Sequence, residues 1–520
     1  MKRTAVLHPF FLGAFSILFL YAQNAAEMRF GEVIIPLMVT WIVTALVMFP
    51  LTRALGSSQQ AGFAVSALVM AFFSYGYMFD SLEVLSELTG FSTVANRVLI
   101  LVGATLIFLA VFGLVRALGE NIVQMSALLN FVAGGLIVVQ LLTIGSTLLD
   151  RRKSQVAASF EEEFTESSSR NPDIFFIVLD GYGRQDVLQD LYAHDNGPFL
   201  ESLESLGFEV AADSRAPYAQ TFLSLASIFN LDYLESFASL SPDSDDRVQL
   251  AESIWDGVAI QTLKQQGYST VSFASGYYLT EFENADRYLA PGQSMGEFSR
   301  LLVHTTALRL FEDSNVQASR FRSRIEYTLR SLDKLGATET PTFVMAHVVA
   351  PHPPFVLGRE LDAIPEGEPI HFNDGTDRIR TQEQREQYVD LYREQLRALN
   401  ELVEEAVSGL VARPEDDRPV IVIASDHGPG SELRNHSLKE TDLRERFGSL
   451  FAVCLPNGKS NDVLPDPMTP VNAFRLIFNR YLETDYPLLP SRSFFSAWDR
   501  PFDLIEIDDQ QLELRSKQDG

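Results

Sequence analysis

Cysteine is almost missing from this chain: Cys454 is the single one in 520 residues. That excludes an internal disulfide and any cysteine-rich metal cluster. Its apolar neighbours (FAVCL) read as a core run, which makes Cys454 a small buried residue and not a reactive thiol. Basic residues are scarce as well, 41 Lys and Arg against 68 Asp and Glu, for a formal charge of −27. A surface of that sign stays soluble and repels nucleic acid, so no nucleic-acid partner is expected. The deficit is uneven. Residues 1–150 hold six Lys/Arg and seven Asp/Glu, so almost all of the negative charge lies beyond them. No repeat of fixed period runs through the chain, which argues against a solenoid.

The first 150 residues also contain long stretches with no charge at all. Five apolar runs, Val6–Ala22, Val33–Leu51, Ala61–Phe79, Val98–Val115 and Ile122–Leu149, contain no Asp, Glu, Lys or Arg. Each approaches the roughly 20 residues that span a bilayer. Residues 1–150 are therefore expected to form a bundle of five transmembrane helices. Val6–Ala22 follows Lys2 and Arg3 and has some signal-peptide character, but four further runs make an uncleaved first helix the simpler reading. Lys2, Arg3, Arg53 and Arg116 fall on one side of such a bundle, which the bias of basic residues makes cytoplasmic. Five crossings then put everything after Leu149 outside. Arg151, Arg152 and Lys153 oppose this orientation, but long domains translocate largely regardless of such charges. The absence of charge inside the runs also argues against a transporter.

Residues 151–171 are polar, rich in Glu and Ser, and read as a linker. From Pro172 the pattern changes. Strand-like runs at 174–179, 269–274, 342–349, 419–425 and 448–455 alternate with helix-like runs at 185–206, 221–230, 250–266, 381–412 and 470–482. Such alternation predicts an α/β domain, residues 172–509, around a mostly parallel central sheet. Residues 510–520 read as a polar tail.

Three of the strand-like runs end on side chains that carry chemistry. IFFIVL ends on Asp180, VIVIA is followed closely by Asp426 and His427, and FVMAHVVAPHPPF carries His347 and His352. In open α/β sheets, ligands gather at the carboxyl ends of the strands. Carboxylates and imidazoles brought there form a mixed oxygen and nitrogen ligand set for a divalent transition metal. Asp426 and His427 are adjacent, so the backbone must turn after them, and Gly428-Pro429 supplies a turn. Thr221 offers a nucleophile. It follows Pro217 and opens the helical pattern TFLSLASIF, where a helix N-terminus favours an anion. Each piece has an ordinary alternative: a turn Asp, a structural Asp-His pair, a capping Thr.

Together these segments resemble the alkaline phosphatase/sulfatase superfamily. The order of apolar runs and soluble domain resembles its membrane-anchored branch, which includes lipoteichoic acid synthases and lipid A phosphoethanolamine transferases. Asp180 stands where that branch has an acid after the first strand. Thr221, Ser224 and Phe229 match its T-x-x-S-x-x-x-x-F run, Asp426 and His427 its S-D-H-G motif, and His352 a sulfatase-like A-P-H-x-P-F element. The resemblance implies one divalent metal ion, zinc or manganese, bound by Asp180, Thr221, Asp426 and His427. It implies Thr221 and His352 as catalytic residues, with His352 contacting substrate; His347 has no counterpart as firm in the family and is placed beside His352 as a further substrate contact. Residues 221–225 read TFLSL, so the C/S-x-P-x-R signature of formylglycine sulfatases is absent. The implied function is transfer of a phospholipid headgroup to an envelope glycan or lipid acceptor, outside the cell membrane. The alternatives are a hydrolase of soluble phosphate or sulfate esters, and a non-catalytic membrane-anchored binding domain.

Overall fold

The computed structural model describes residues 5–25, 28, 30–89, 100, 102, 103, 105, 113, 119–153, 171–238, 241–282, 284–291, 297–311, 314–336, 338–358, 374, 379, 381–456 and 463–513. The chain forms two units. One comprises residues 1–153 together with 295–313; the other comprises 154–294 and 314–520.

In the first unit the described apolar helices are α1 (His8–Gln23), α2 (Ile34–Leu55), α3 (Ser58–Thr89) and α4 (Ile122–Lys153). Three segments, Phe30–Leu55, Ser58–Phe79 and Ile122–Ser146, are long and apolar enough to cross a membrane. Helix α1 has 16 residues and is shorter than a usual span. The fourth expected run, Val98–Val115, lies largely outside the described residues, and so does the linker segment 154–170.

Close contacts fix the helix directions. A Cβ on Gly62 of α3 would touch Val6 and His8 at the start of α1, and Gly13 in α1 faces Val69 of α3. Helices α1 and α3 therefore run parallel. Gly13 also meets Thr40, and Trp41 Nε1 donates to Phe10 O at 3.1 Å, so α2 runs the other way. Asn130 of α4 accepts from the Leu7 and His8 amides at 3.0 and 2.7 Å and donates to Ala5 O at 2.7 Å. It thereby caps the start of α1 from a neighbouring helix, satisfying amides that have no partner within their own helix. Phe11 against Gly134 and Ile17 clustered with Ile144 continue that pairing, so α4 is parallel to α1.

The second unit is built on a seven-stranded sheet. Its strands are β1 (Ile174–Leu179), β2 (Phe208–Val210), β3 (Ser269–Phe273), β4 (Arg287–Leu289), β5 (Thr342–Val348), β6 (Val420–Ala424) and β7 (Phe451–Cys454), in the order β2-β7-β6-β1-β5-β3-β4. A separate antiparallel pair joins β8 (Ser493–Phe495) to β9 (Ile505–Ile507). Strands β6, β1, β5, β3 and β4 are mutually parallel; β7 runs against both β6 and β2. The mostly parallel sheet is as expected. Central β1 is buried on both faces. Its alternation sends Ile174, Phe176 and Val178 into one core with the helices Thr221–Phe229 and Ala473–Tyr481, and Phe175, Ile177 and Leu179 into a second core with Ser314–Leu332 and Gln382–Val411.

Two helix-like runs break where the sequence reading has them continuous. Run 185–206 is two helices, Gln185–Tyr192 and Gly197–Ser205; the first ends on Ala193, whose φ of +46° is left-handed, and the second carries Pro198 in its first turn, where a missing N–H costs nothing. Run 250–266 breaks at Gly257, where a Cβ would come within 2.8 Å of the Phe229 carbonyl oxygen. The tail is helical over Asp509–Glu513, and its remainder lies outside the described residues. Cys454 is buried and its thiol is pushed up to about 11 by burial, in keeping with a structural residue.

Phe176 is fully buried, stacks on Phe474 at 5.1 Å between ring centroids and meets Phe229 edge-on. Phe176→Ala is expected to cost about 3–5 kcal/mol, measured as a lower thermal unfolding midpoint of the soluble unit in the intact, detergent-solubilised chain.

Candidate metal centre

Register brings the strand ends together. Val178 of β1 pairs with His347 on β5 and with Ala424 on β6. Asp180, two residues past Val178, and Asp426, two past Ala424, therefore leave the sheet at one level, beside His347. After Asp180 the backbone turns at Gly181, whose φ of +72° lies in the left-handed region open to glycine. Gly181 N–H donates to Asp426 Oδ1 at 3.2 Å, and Tyr182 N–H donates to Ser425 Oγ at 2.8 Å. Ser425 Oγ in turn donates to His427 O at 2.6 Å. Beyond His427 the chain passes so close to the 443–447 helix that a Cβ on Gly428 would lie 1.9 Å from Glu445 O.

Glu445 fixes the next residues. Its buried carboxylate accepts from Ser431 N–H, Ser431 Oγ, Glu432 N–H and Tyr192 Oη. Burial pushes its carboxyl up to about 7, against the pull of these donors.

Asp180, His347 and Asp426 each offer a ligand atom, all within 4.8 Å of one another and all buried. His347 Nε2 lies 3.3 Å from Asp180 Oδ2; His427 Nε2 lies 3.5 Å from Asp180 Oδ1 and 3.2 Å from Asp426 Oδ2. The outer nitrogens are already engaged. His427 Nδ1 is 2.9 Å from Gly428 O, an acceptor, so it carries the proton and Nε2 presents a lone pair. His347 Nδ1 is 2.7 Å from Thr280 Oγ1, whose hydroxyl also lies 3.1 Å from Tyr277 O as donor. His347 Nε2, Asp180 Oδ1 and Asp426 Oδ2 are buried without a hydrogen-bond partner. Buried acceptors left unmatched are costly. Converging oxygen and imidazole acceptors of this kind fit a divalent cation with borderline ligand preference.

Thr221 is the first residue of the helix Thr221–Phe229, and Gln220 ahead of it is extended. The Thr221 hydroxyl is 3.1 Å from His427 Nε2 and donates to that lone pair. Of the six candidate residues, Asp180, Thr221, His347, Asp426 and His427 are directly linked by these distances. His352 stands one step out. Its amide donates to Asp180 O at 3.0 Å, its Nδ1 is 2.7 Å from Pro353 O, and its ring lies 6.0 Å from that of His427.

Two residues that sequence reasoning missed complete the site. Asp374 Oδ2 lies 3.8 Å from His352 Nε2 and accepts from Arg446 Nη1 at 2.8 Å; Tyr388 Oη donates to its Oδ1 at 2.8 Å. Buried Arg446 also donates to Gly428 O at 3.2 Å and Ala219 O at 2.9 Å, joining the segment after His427 to the one before Thr221. Neither belongs to a strand end or a recognisable motif.

These charges set the ionisation of the site. Burial works against charging His352, but the carboxylates of Asp180 and Asp374 outweigh it and raise its pKa. Burial, then Arg446, lower the pKa of His427 and keep it neutral. Burial would raise Asp180 and Asp374. For Asp180 the imidazoles, His352 foremost, prevail and hold it below the usual carboxylate range. For Asp374, His352 and Arg446 do the same.

Comparison with curated proteins gave no match. Solved structures that align include the C-terminal periplasmic domain of EptC from Escherichia coli in complex with zinc (14% identity, 67% of this chain and 96% of that one, TM-score 0.43). Another is the integral membrane protein lipooligosaccharide phosphoethanolamine transferase A from Neisseria meningitidis (12% identity, 93% of each chain, TM-score 0.38). A third is a phosphonate monoester hydrolase from Agrobacterium radiobacter (14%, 62% and 80%, TM-score 0.39). The sulfatase family model matches residues 172–449. That match covers more than half of the chain and runs from the first strand past His427, so the chain belongs to the sulfatase family and is an enzyme of phosphate or sulfate esters.

Proposed function

We propose that the protein is a membrane phosphotransferase that takes the headgroup of a phospholipid through Thr221 and passes it to an envelope glycan or lipid acceptor. The observation that carries this reading is the Thr221 hydroxyl, placed at a helix start and 3.1 Å from His427 Nε2, beside three unpartnered buried acceptors. Asp180, Thr221, Asp426 and His427 would hold one divalent cation, zinc or manganese. Bound there, the cation would lower the pKa of the Thr221 hydroxyl and polarise a phosphoryl oxygen. A threonine in place of the cysteine or serine of C/S-x-P-x-R favours phosphoryl transfer over sulfate-ester hydrolysis.

In the first step Thr221 Oγ attacks phosphorus and the P–O bond to the lipid alcohol breaks. His352, kept charged by Asp180 and Asp374, donates a proton to the leaving oxygen. The result is a phosphodiester of Thr221 carrying the headgroup. In the second step an acceptor hydroxyl attacks the same phosphorus, its proton returns to His352, and Thr221 is released. Arg446 does not move a proton; it holds Asp374, Gly428 O and Ala219 O in register.

The direction of the helices bears on topology. Because α1, α3 and α4 are parallel, the chain finishes α3 on one side and starts α4 on the other. We read the charge-free run Val98–Val115 as a further crossing between them; five crossings would put the catalytic unit outside the cell membrane, the side that the bias of basic residues favours.

Thr221→Ala is expected to lower headgroup transfer from labelled phospholipid by at least about 10³-fold, while the wild type, quenched during turnover, yields a peptide modified at Thr221 by mass spectrometry. Full activity of Thr221→Ala would refute the mechanism. Production of free headgroup phosphate at the same rate with and without acceptor would identify a hydrolase. Chelation should abolish turnover, and zinc or manganese should restore it.

A second expectation concerns pH. The raised His352 pKa means its charge stabilises the fold below the unfolded value near 6.5, a contribution lost as pH rises through the folded value. In chelated protein the thermal midpoint should fall over that range. Asp374→Asn should flatten the fall and bring the His352 ring titration, followed by NMR, to lower pH.

A further inference from the structure

Residues 297–311 are encoded in the middle of the catalytic sequence, yet they belong to the membrane unit. Their contacts lie at one end of the bundle. Phe298 is fully buried in the cluster of Tyr21, Met28 and Val33; its ring meets Tyr21 edge-on at 6.3 Å, and its amide donates to Glu32 Oε2 at 3.2 Å. A Cβ on Gly76 of α3 would lie 2.4 Å from His304 O, so the helix Glu297–Thr305 rests directly on the α3 backbone. The short 3₁₀ helix Ala307–Phe311 follows.

A 3₁₀ helix repeats every three residues, so positions i and i+3 share a face. Ala307 and Leu310 pack inward against Tyr75, Phe79 and Ile100. The Arg309 guanidinium lies over the Phe79 ring, 4.2 Å from its centroid. Leu308 and Phe311 share the remaining face, and they are 41% and 84% exposed. A short helix with two apolar faces has only one of them covered by protein. Phe79 is the last residue of an apolar segment long enough to cross a membrane, and Tyr77 and Met78 beside it are also exposed. Tyrosines and a stacked arginine at the end of a span mark the level of the bilayer interface. The helix that carries Leu308 and Phe311 packs on Tyr75 and Phe79, so these two exposed side chains lie at the same end of α3 as exposed Tyr77 and Met78.

We propose that Leu308 and Phe311 enter the outer leaflet, so that the catalytic chain is attached to the lipid surface a second time, independently of its link to α4. The occupant of this face is lipid, because the helix that bears it is packed on the end of a segment long and apolar enough to span a membrane, at the level where that segment exposes Tyr77 and Met78. The proposal rests on the membrane reading of the first unit and goes beyond the chemistry assigned to the site.

The test uses the full chain in vesicles of phosphatidylethanolamine and phosphatidylglycerol. Phe311→Cys is labelled with an environment-sensitive fluorophore; Cys454 is buried and contributes little background. Leu308→Cys, on the same face, is the second variant should the first fold poorly. Leu46→Cys on the exposed face of α2 is the reference for lipid, and Glu201→Cys, on an exposed position of the soluble unit, the reference for water. The expected result is severalfold stronger quenching of positions 311 and 308 by nitroxide-labelled lipid than by aqueous iodide, as at Leu46. Iodide quenching equal to that at Glu201 overturns the proposal. Protection from both quenchers also overturns it, by showing a protein partner such as a second copy. If Leu46 itself escapes lipid quenching, the membrane reading fails instead.

Discussion

Two carboxylates, Asp180 and Asp426, are buried almost completely and held side by side by the backbone of a parallel sheet. Everything else in the soluble unit accommodates that juxtaposition. Buried anions with unmatched lone pairs are among the most costly arrangements a fold can hold. Neutral His427 turns a lone pair toward both acids, and it is chiefly the His352 charge, one step away, that favours the ionised form of Asp180. The cost is offset elsewhere: by a β1 whose six residues are all buried, by the Gly181 amide donated to Asp426, and by the Glu445 carboxylate that gathers the loop after His427. Binding of a cation would convert this stored cost into affinity.

Such an arrangement explains why some of the site was legible in the sequence and some was not. A double-sided apolar strand ending on an acid is a strong local pattern, and register alone then brings Asp180, His347 and Asp426 to one level. Thr221 was readable because Pro217 and the apolar spacing of TFLSLASIF mark a helix start. His347 was readable as a candidate but not as a neighbour of Asp180, because its facing depends on which strand pairs with β1. Asp374 left no signal. It lies apart from the regular elements and acquires its position through Arg446 and Tyr388, more than ten residues away in each case. Contacts of that kind are set by tertiary packing, which no periodicity records.

The membrane unit obeys a similar division. Charge-free runs announce α2, α3 and α4 directly. The segment 297–311 announces nothing, because a helix that rests on Gly76 and a 3₁₀ turn that places Ala307 and Leu310 on one face need only a few apolar residues each. Small residues perform the same task within the bundle. Gly13 and Gly62 let α1 approach α2 and α3 closely, and the Asn130 side chain replaces hydrogen bonds that lipid cannot supply.

Charge balance ties the chemistry back to the two acids. The chain is strongly acidic, so an anionic phosphodiester is not drawn to its surface in general. Within the site, Asp180, Asp426 and Asp374 face two positive groups, Arg446 and the His352 imidazolium, which leaves an excess of one negative charge. A divalent cation would turn that excess into a single positive charge. In the proposed mechanism, ionising Thr221 would add one negative charge and bring the site to neutrality, so nucleophile and acid would be charged together, each lowering the cost of the other. Loss of the His352 proton to the leaving oxygen would coincide with loss of the Thr221 charge as its bond to phosphorus forms. Asp374 would matter in this scheme by keeping the proton on His352 until that moment, and Arg446 by helping to hold Asp374 below the usual carboxylate range, so that it does not take the proton itself.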